Sequence, residues 1–284
     1  MGEGKRRRKK LTERLKAEPR CIYCAGPNDT EEHMPPRIMF LGKDRPQGME
    51  FAACEACNVG TSGADAVAAF MAKMRIHEDG TGRHLQENLS LKGTIDQKAP
   101  GVLEELFDRD DKISNTLVRS PGGILVPSVK VMADGPLLKA YLQAFAAKLA
   151  MALYREHIGE ALPLDGYVGT VHFLNAGLAA ENAERMLRTL PVFDTLRQGR
   201  KDAGAQFGYR YNTDERSIIA ALVRFHEGLF VFLVASSEPG VKELNPDNKN
   251  WRISQPGGVL AMLPVQLELP ARGVVRKPQG DDRI

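Results

Sequence analysis

The sequence predicts an α+β protein in two parts. A small cysteine-braced unit lies near the N-terminus, followed by a larger α+β domain with a mainly antiparallel sheet and one long central helix. Three features predict this. Four cysteines fall in two Cys-x2-Cys pairs, Cys21/Cys24 and Cys54/Cys57. From Pro136 to about His157, apolar residues recur at three- and four-residue steps on an alanine-rich background. Between Phe207 and Ala235, three short β-type runs are separated by turn residues.

The chain has 284 residues, 43% of them hydrophobic. That is enough to bury a substantial core, and it excludes wholesale disorder. The longest apolar run, Leu229 to Ala235, falls well short of the roughly 20 residues of a membrane span. The N-terminus is basic without an apolar stretch behind it, which does not resemble a secretory signal. A soluble, cytoplasmic protein with no membrane partner is expected.

The net charge of +3 is unevenly spread. Residues 1–20 contain nine Lys/Arg, including Arg6, Arg7, Arg8, Lys9 and Lys10, against three acids; that segment is +6 and the remaining residues sum to −3. A cationic arm on a weakly acidic body suits a polyanion-binding tail, and equally a solubilising terminus.

No cysteine lies outside the two pairs, and 29 residues separate them. Matched Cys-x2-Cys pairs suit a structural Zn²⁺ held by four thiolates. The alternatives are buried free thiols or a redox-active pair. A metal would hold together a segment with too little apolar content to fold by itself.

Between the pairs, Gly26 to Asp29 has turn chemistry, Thr30 to His33 reads as a short extended stretch, and Pro35 and Pro36 end it. Asn58 directly follows the second pair, near an expected helix start. The ordered set Cys-x2-Cys, Glu32-His33-x-x-Pro36, Cys-x2-Cys-Asn58 resembles the zinc-bound branch of the HNH endonucleases, over about residues 17–65. The resemblance implies a ββα-metal fold and metal-dependent hydrolysis of phosphodiester bonds in DNA. By position, His33 would be the general base, and Glu32 and Asn58 would hold a catalytic divalent cation. Oxygen ligands suit Mg²⁺ or Mn²⁺, and a neutral imidazole can accept a proton from water. Arg37 is placed to bind a neighbouring phosphate. The sequence departs from the family pattern in three ways: no Asn precedes Cys54 in Gly48 to Ala53, Glu32 stands where Asp or His is more frequent, and no Lys follows the second pair. These departures keep a second reading open, a catalytically inactive zinc-binding module for nucleic acid or a protein partner. RNA as the nucleic acid is also open.

The expected organisation is a basic arm over 1–16, an HNH-like zinc domain over 17–78, a linker with helical content over 79–112, and an α+β domain over 113–284. Ser62 and Asp65 read as the cap of a helix starting near residue 63; Asp65 on the metal is the less favoured alternative. Residues 76–100 are mixed and polar, with a turn at Asp79 to Gly82, and Val102 to Phe107 reads as a short helix. Thr116 to Val131 reads as two strands joined by a tight connection, and Pro136 and Gly159 bracket the long helix. Gly166 to Leu174 is a strand, Ala179 to Leu190 a helix, and residues 198–205 a loop. Trp251 to Ile253 and Gly258 to Pro264 are possible edge strands. His157, His172 and His226 are too scattered to form a catalytic constellation, and this half is open to a protein partner or oligomerisation.

Overall fold

The computed structural model describes residues 3–42, 45–74, 83–108, 113–119, 122–174, 197–242 and 250–263. The expected helix over 179–190 and the turn over 79–82 lie outside these residues. The described chain is a mixed α+β fold, and its larger sheet is antiparallel throughout.

The N-terminal segment, expected as an arm, begins as helix α1 (Glu3–Ala17). Lys, Arg and Glu are good helix formers. Asn28 Nδ2 donates to the carbonyls of Leu15 (3.2 Å) and Glu18, tying the helix end to the turn before β1. Strands β1 (Thr30–His33) and β2 (Glu50–Ala53) form an antiparallel hairpin with Glu32 opposite Phe51 and His33 opposite Glu50. Helices α2 (Glu55–Val59) and α3 (Ser62–Lys73) follow it. The polar stretch after α3 contains a helix that its composition conceals, α4 (Arg83–Lys98), of which Leu91 and Ile95 are buried. Helix α5 (Val102–Phe107) and the ribbon of β3 (Ile113–Arg119) and β4 (Leu125–Val131) lead into α6 (Pro136–Ile158).

Helix α6 is buried almost all round from Tyr141 to Tyr154, as befits a helix whose alanines allow close approach on every side. Its first turn is closed by a distant acid. The Glu105 carboxylate accepts the N–H groups of Leu137 (3.0 Å) and Leu138 (2.9 Å), satisfying donors that have no partner within a helix. Its other end is Gly159 at φ +93°, whose N–H reaches Arg155 O; a left-handed residue here favours glycine.

The six-stranded sheet runs β10-β5-β9-β8-β7-β6. Its strands are β5 (Tyr167–Leu174), β6 (Arg197–Gln198), β7 (Phe207–Thr213), β8 (Ile218–Phe225), β9 (Leu229–Ser236) and β10 (Arg252–Ser254). Residues 260–262, inside the edge strand expected over Gly258 to Pro264, form a 3₁₀ turn instead. One sheet face packs on α6 through Phe145 against Phe225, ring centroids 5.4 Å apart. The other carries a smaller cluster that includes Val171, Phe232 and Trp251.

A single apolar cluster contains both Tyr23 and Phe51 of the hairpin region and Phe145 and Phe225 of the helix and sheet. The β8–β9 turn adds a join. Gly228 N–H donates to Ala72 O at the end of α3, and a Cβ at Gly228 would lie 2.3 Å from Met71 O. Only glycine lets the two backbones approach so closely. No helix among the described residues is long and apolar enough to cross a membrane.

The Glu105 bridge predicts that Glu105→Ala lowers stability by about 1–2 kcal/mol, the range for losing a helix cap and its charge–dipole attraction. Urea unfolding measures this, and an unchanged midpoint would contradict the capping role.

Candidate metal centre and hairpin face

Cys21 and Cys24 flank a tight turn, while Cys54 and Cys57 lie at the start of α2. The four sulfurs are free thiols, all within 4.8 Å of one another. Cys24 Sγ and Cys54 Sγ are 3.7 Å apart. A tetrahedron with metal–sulfur bonds of about 2.3 Å has edges of about 3.8 Å, so the spacing fits such a centre and is far too long for a disulfide. Backbone N–H groups point at two of the sulfurs, Tyr23 N to Cys21 Sγ and Cys57 N to Cys54 Sγ, each at 3.4 Å. The Cys57 thiol hydrogen bond, outweighing burial, draws Cys21 down to about 5; burial pushes Cys24 up to about 11. Four such thiols can hold a metal ion such as zinc.

Next to this cluster, β1 presents two different faces. Alternation along a strand sends Glu32 one way and Glu31 and His33 the other. Glu32 is 2% exposed and faces α6, with Oε2 3.6 Å from Lys148 Nζ. Lys148, fully buried, also donates to both oxygens of Asp65 at 3.1 and 3.2 Å, and sits 5.6 Å from the Tyr23 ring centroid. Burial, only partly offset by Lys148, pushes Glu32 up to about 8, and it raises Asp65 too. Burial works to lower Lys148, yet Asp65 and Glu32 together hold it above the usual lysine range. The arrangement is therefore a buried ammonium hydrogen-bonded to Asp65 with the Glu32 carboxyl group beside it. Glu32, expected as a ligand at an open cation site, instead belongs to this buried cluster. Asp65, read from sequence as a helix cap, holds Lys148; Thr61 precedes the helix without a side-chain cap bond.

The opposite face is polar and only partly exposed. His33 Nε2 accepts a hydrogen bond from Arg37 Nη2 at 2.7 Å, while Glu31 Oε1 lies 3.6 Å from the same nitrogen. Because arginine only donates, that nitrogen carries a lone pair and His33 is neutral. Burial, reinforced by Arg45 and Arg37, lowers His33 to about 4. Arg45 donates to Glu50 Oε1 at 2.8 Å and to Pro35 O at 2.9 Å. Arg14, from the basic segment, reaches Glu31 Oε2 at 3.5 Å and Glu50 Oε2 at 3.3 Å. Glu50 is held below the usual carboxylate range: burial opposes this, but Arg45 and Arg14 prevail.

Asn58 lies within α2, where its Nδ2 donates to Thr30 Oγ1 and to Glu31 O, both at 3.2 Å. It pins the helix to β1. Thus His33, Arg37 and the backbone anchored by Asn58 come together, while Glu32 faces the interior. Of the basic residues singled out from sequence, Lys9 and Lys10 are exposed on α1, and Arg6, Arg7 and Arg8 lie in its first half. Sequence reading missed Glu31, Glu50, Arg14 and Arg45. The two-residue step from Glu31 to His33 was a legible signal for the first of them.

Comparison with protein-family models, with curated proteins and with solved structures finds no match for this chain.

The buried cluster predicts an ordering of stabilities. Lys148→Met leaves two buried carboxyl groups without a cation and should cost about 3 kcal/mol or more. Glu32→Gln, which keeps the side chain's size and leaves Lys148 hydrogen-bonded to Asp65, should cost less than about 1 kcal/mol. Chemical denaturation of both variants checks this, and a reversed order would contradict the central place of Lys148 in the cluster.

Proposed function

We propose that the protein is a metal-dependent endonuclease of the HNH type, acting on phosphodiester bonds in DNA from the His33 face of the β1–β2 hairpin. The observation that carries the reading is the neutral His33 at the end of β1, flanked by Arg37 and Arg45, beside a four-thiol centre that can brace the hairpin. Asn58, bonded from α2 to β1, supports the same ββα arrangement.

In this reading, His33 Nε2 takes a proton from the attacking water once Arg37 swings from the imidazole to a phosphate oxygen. The guanidinium then supplies paired donors to the phosphate. Glu31, on the face of His33, replaces Glu32 as the carboxylate available to Mg²⁺ or Mn²⁺. A bound divalent cation would offset charge on the scissile and leaving oxygens. The exposed lysines of α1 add sequence-independent attraction, which weakens as salt rises.

A second reading, binding without hydrolysis, is favoured by one observation: Arg14 lies within ion-pair distance of both Glu31 and Glu50. Carboxylates already paired with guanidinium are poorer cation ligands.

Plasmid nicking in Mg²⁺ or Mn²⁺ separates the readings. Wild type is expected to nick, Glu32→Gln to retain activity, and His33→Ala to lose at least roughly a hundredfold, the scale of general-base catalysis, with its bound metal unchanged. DNA binding without cleavage in either metal would favour the binding module. The pH profile adds a check. Because His33 is lowered to about 4, its base form persists well below neutrality. Activity should therefore not decline at pH 6.5, where an unperturbed histidine would protonate.

A further inference from the structure

A second site lies on the far part of the fold, where the first turns of α6, the end of β5 and the chain entering β10 enclose a cavity of about 640 Å³. This volume suits a small molecule, within the range of roughly 300–1,000 Å³ for ligand pockets. Its polar lining includes Lys139, Gln143, His172, Asn250 and Arg252, and Asp134 is the one acid among the described lining residues. Leu174, Pro136 and Met262 supply apolar wall.

Two of the polar groups are uncommitted to protein partners among the described residues. Lys139 makes no ion pair or hydrogen bond among the described residues, and the largely enclosed ring of His172 makes no hydrogen bond. Gln143 spends its amide N–H on Thr170 Oγ1 at 2.8 Å, which leaves its carbonyl oxygen for another donor. Arg252 Nη1 donates to Trp251 O at 2.9 Å, and Arg252, Asn250 and Asp134 each have other interactions as well. Burial, and then Lys139 and Arg252, lower His172 to about 4. The ring is therefore a neutral donor and acceptor, and the cavity's positive charge rests on Lys139 and Arg252. The start of α6 does not contribute, because Glu105 already accepts the N–H groups of Leu137 and Leu138.

We propose that this cavity binds a small organic phosphate of mononucleotide size. The phosphate would lie between Lys139 and Arg252 with His172 as a further hydrogen-bond partner, and the organic body would rest on the apolar wall. The site is separate from the hairpin face and does not depend on nuclease activity.

The test uses the full-length protein, titrated with adenosine monophosphate, inorganic phosphate and adenosine by calorimetry, with the His172 ring followed by NMR. Adenosine monophosphate should bind saturably, inorganic phosphate more weakly and adenosine not at all. Binding should raise the His172 pKa, since a nearby anion favours the imidazolium. Lys139→Ala and Arg252→Ala should each weaken binding by roughly tenfold, the scale of a charge-assisted hydrogen bond. Both side chains are exposed, so the melting temperature without ligand should not change. A short DNA duplex should not displace the nucleotide. The proposal is overturned by any of three results: no saturable binding of adenosine monophosphate or phosphate up to about 10 mM, adenosine binding as tightly as its monophosphate, or displacement by the duplex.

Discussion

The alternation of side chains along four residues of β1 decides what the hairpin can do. A strand cannot send Glu32 and His33 to the same side. Glu32 is committed to the interior, where Lys148 and Asp65 receive it, and Glu31 and His33 are committed to the opposite, partly exposed face. Lys148 is at once a side chain of the central helix, the partner of an acid on α3 and the neighbour of an acid on β1. One ammonium thereby fixes how three elements meet. Burying a cation this deeply is costly and is tolerable only with acids in place. The cluster therefore selects a particular arrangement of α3, α6 and the hairpin more than it contributes net stability.

The thiol centre meets a different need. Strands of four residues make too small a hairpin to persist alone in water. Joining the turn at Cys21 and Cys24 to the start of α2 at Cys54 and Cys57 closes the loop that carries β1, the 3₁₀ turn at Arg37–Met39 and β2. A metal in that position would restrict the unfolded chain and fix the base of the hairpin. The arginines then set the character of its His33 face. Arg37 faces the imidazole, Arg45 ties the loop to Glu50, and Arg14 brings α1 against both acids. The basic N-terminal segment is thus partly built into the fold through Arg14, whereas Lys9 and Lys10 remain in solvent.

Much of this was legible in the residues themselves. The strands from Phe207 to Ser236 and the helix from Pro136 to Ile158 follow from apolar periodicity and from Pro and Gly at the helix ends, which are local signals. The cysteine spacing announced its cluster. Helix α4 escaped because only Leu91 and Ile95 of its described side chains are buried, too few for a visible stripe. Helix α1 escaped because its charged residues leave almost no apolar face. The site was read less well, for a physical reason. Adjacent residues Glu32 and His33 look like a pair in a motif but diverge on a strand, and the partners of Glu32 lie 33 and 116 positions further along the chain. Lys148 stands among alanines and leucines, and nothing local marks it as buried. Arg45 and Glu50 acquire their roles only when the hairpin closes.

Whether the four thiols act together as one metal centre decides how the hairpin is organised. Titrating metal-free protein with cobalt(II) tests this directly. A tetrahedral tetrathiolate site should give intense sulfur-to-cobalt absorption that saturates at one equivalent, with zinc displacing the cobalt and Cys54→Ser abolishing the one-equivalent endpoint. A protein that keeps its hairpin and gives no such absorption, or whose absorption survives Cys54→Ser unchanged, would contradict the account.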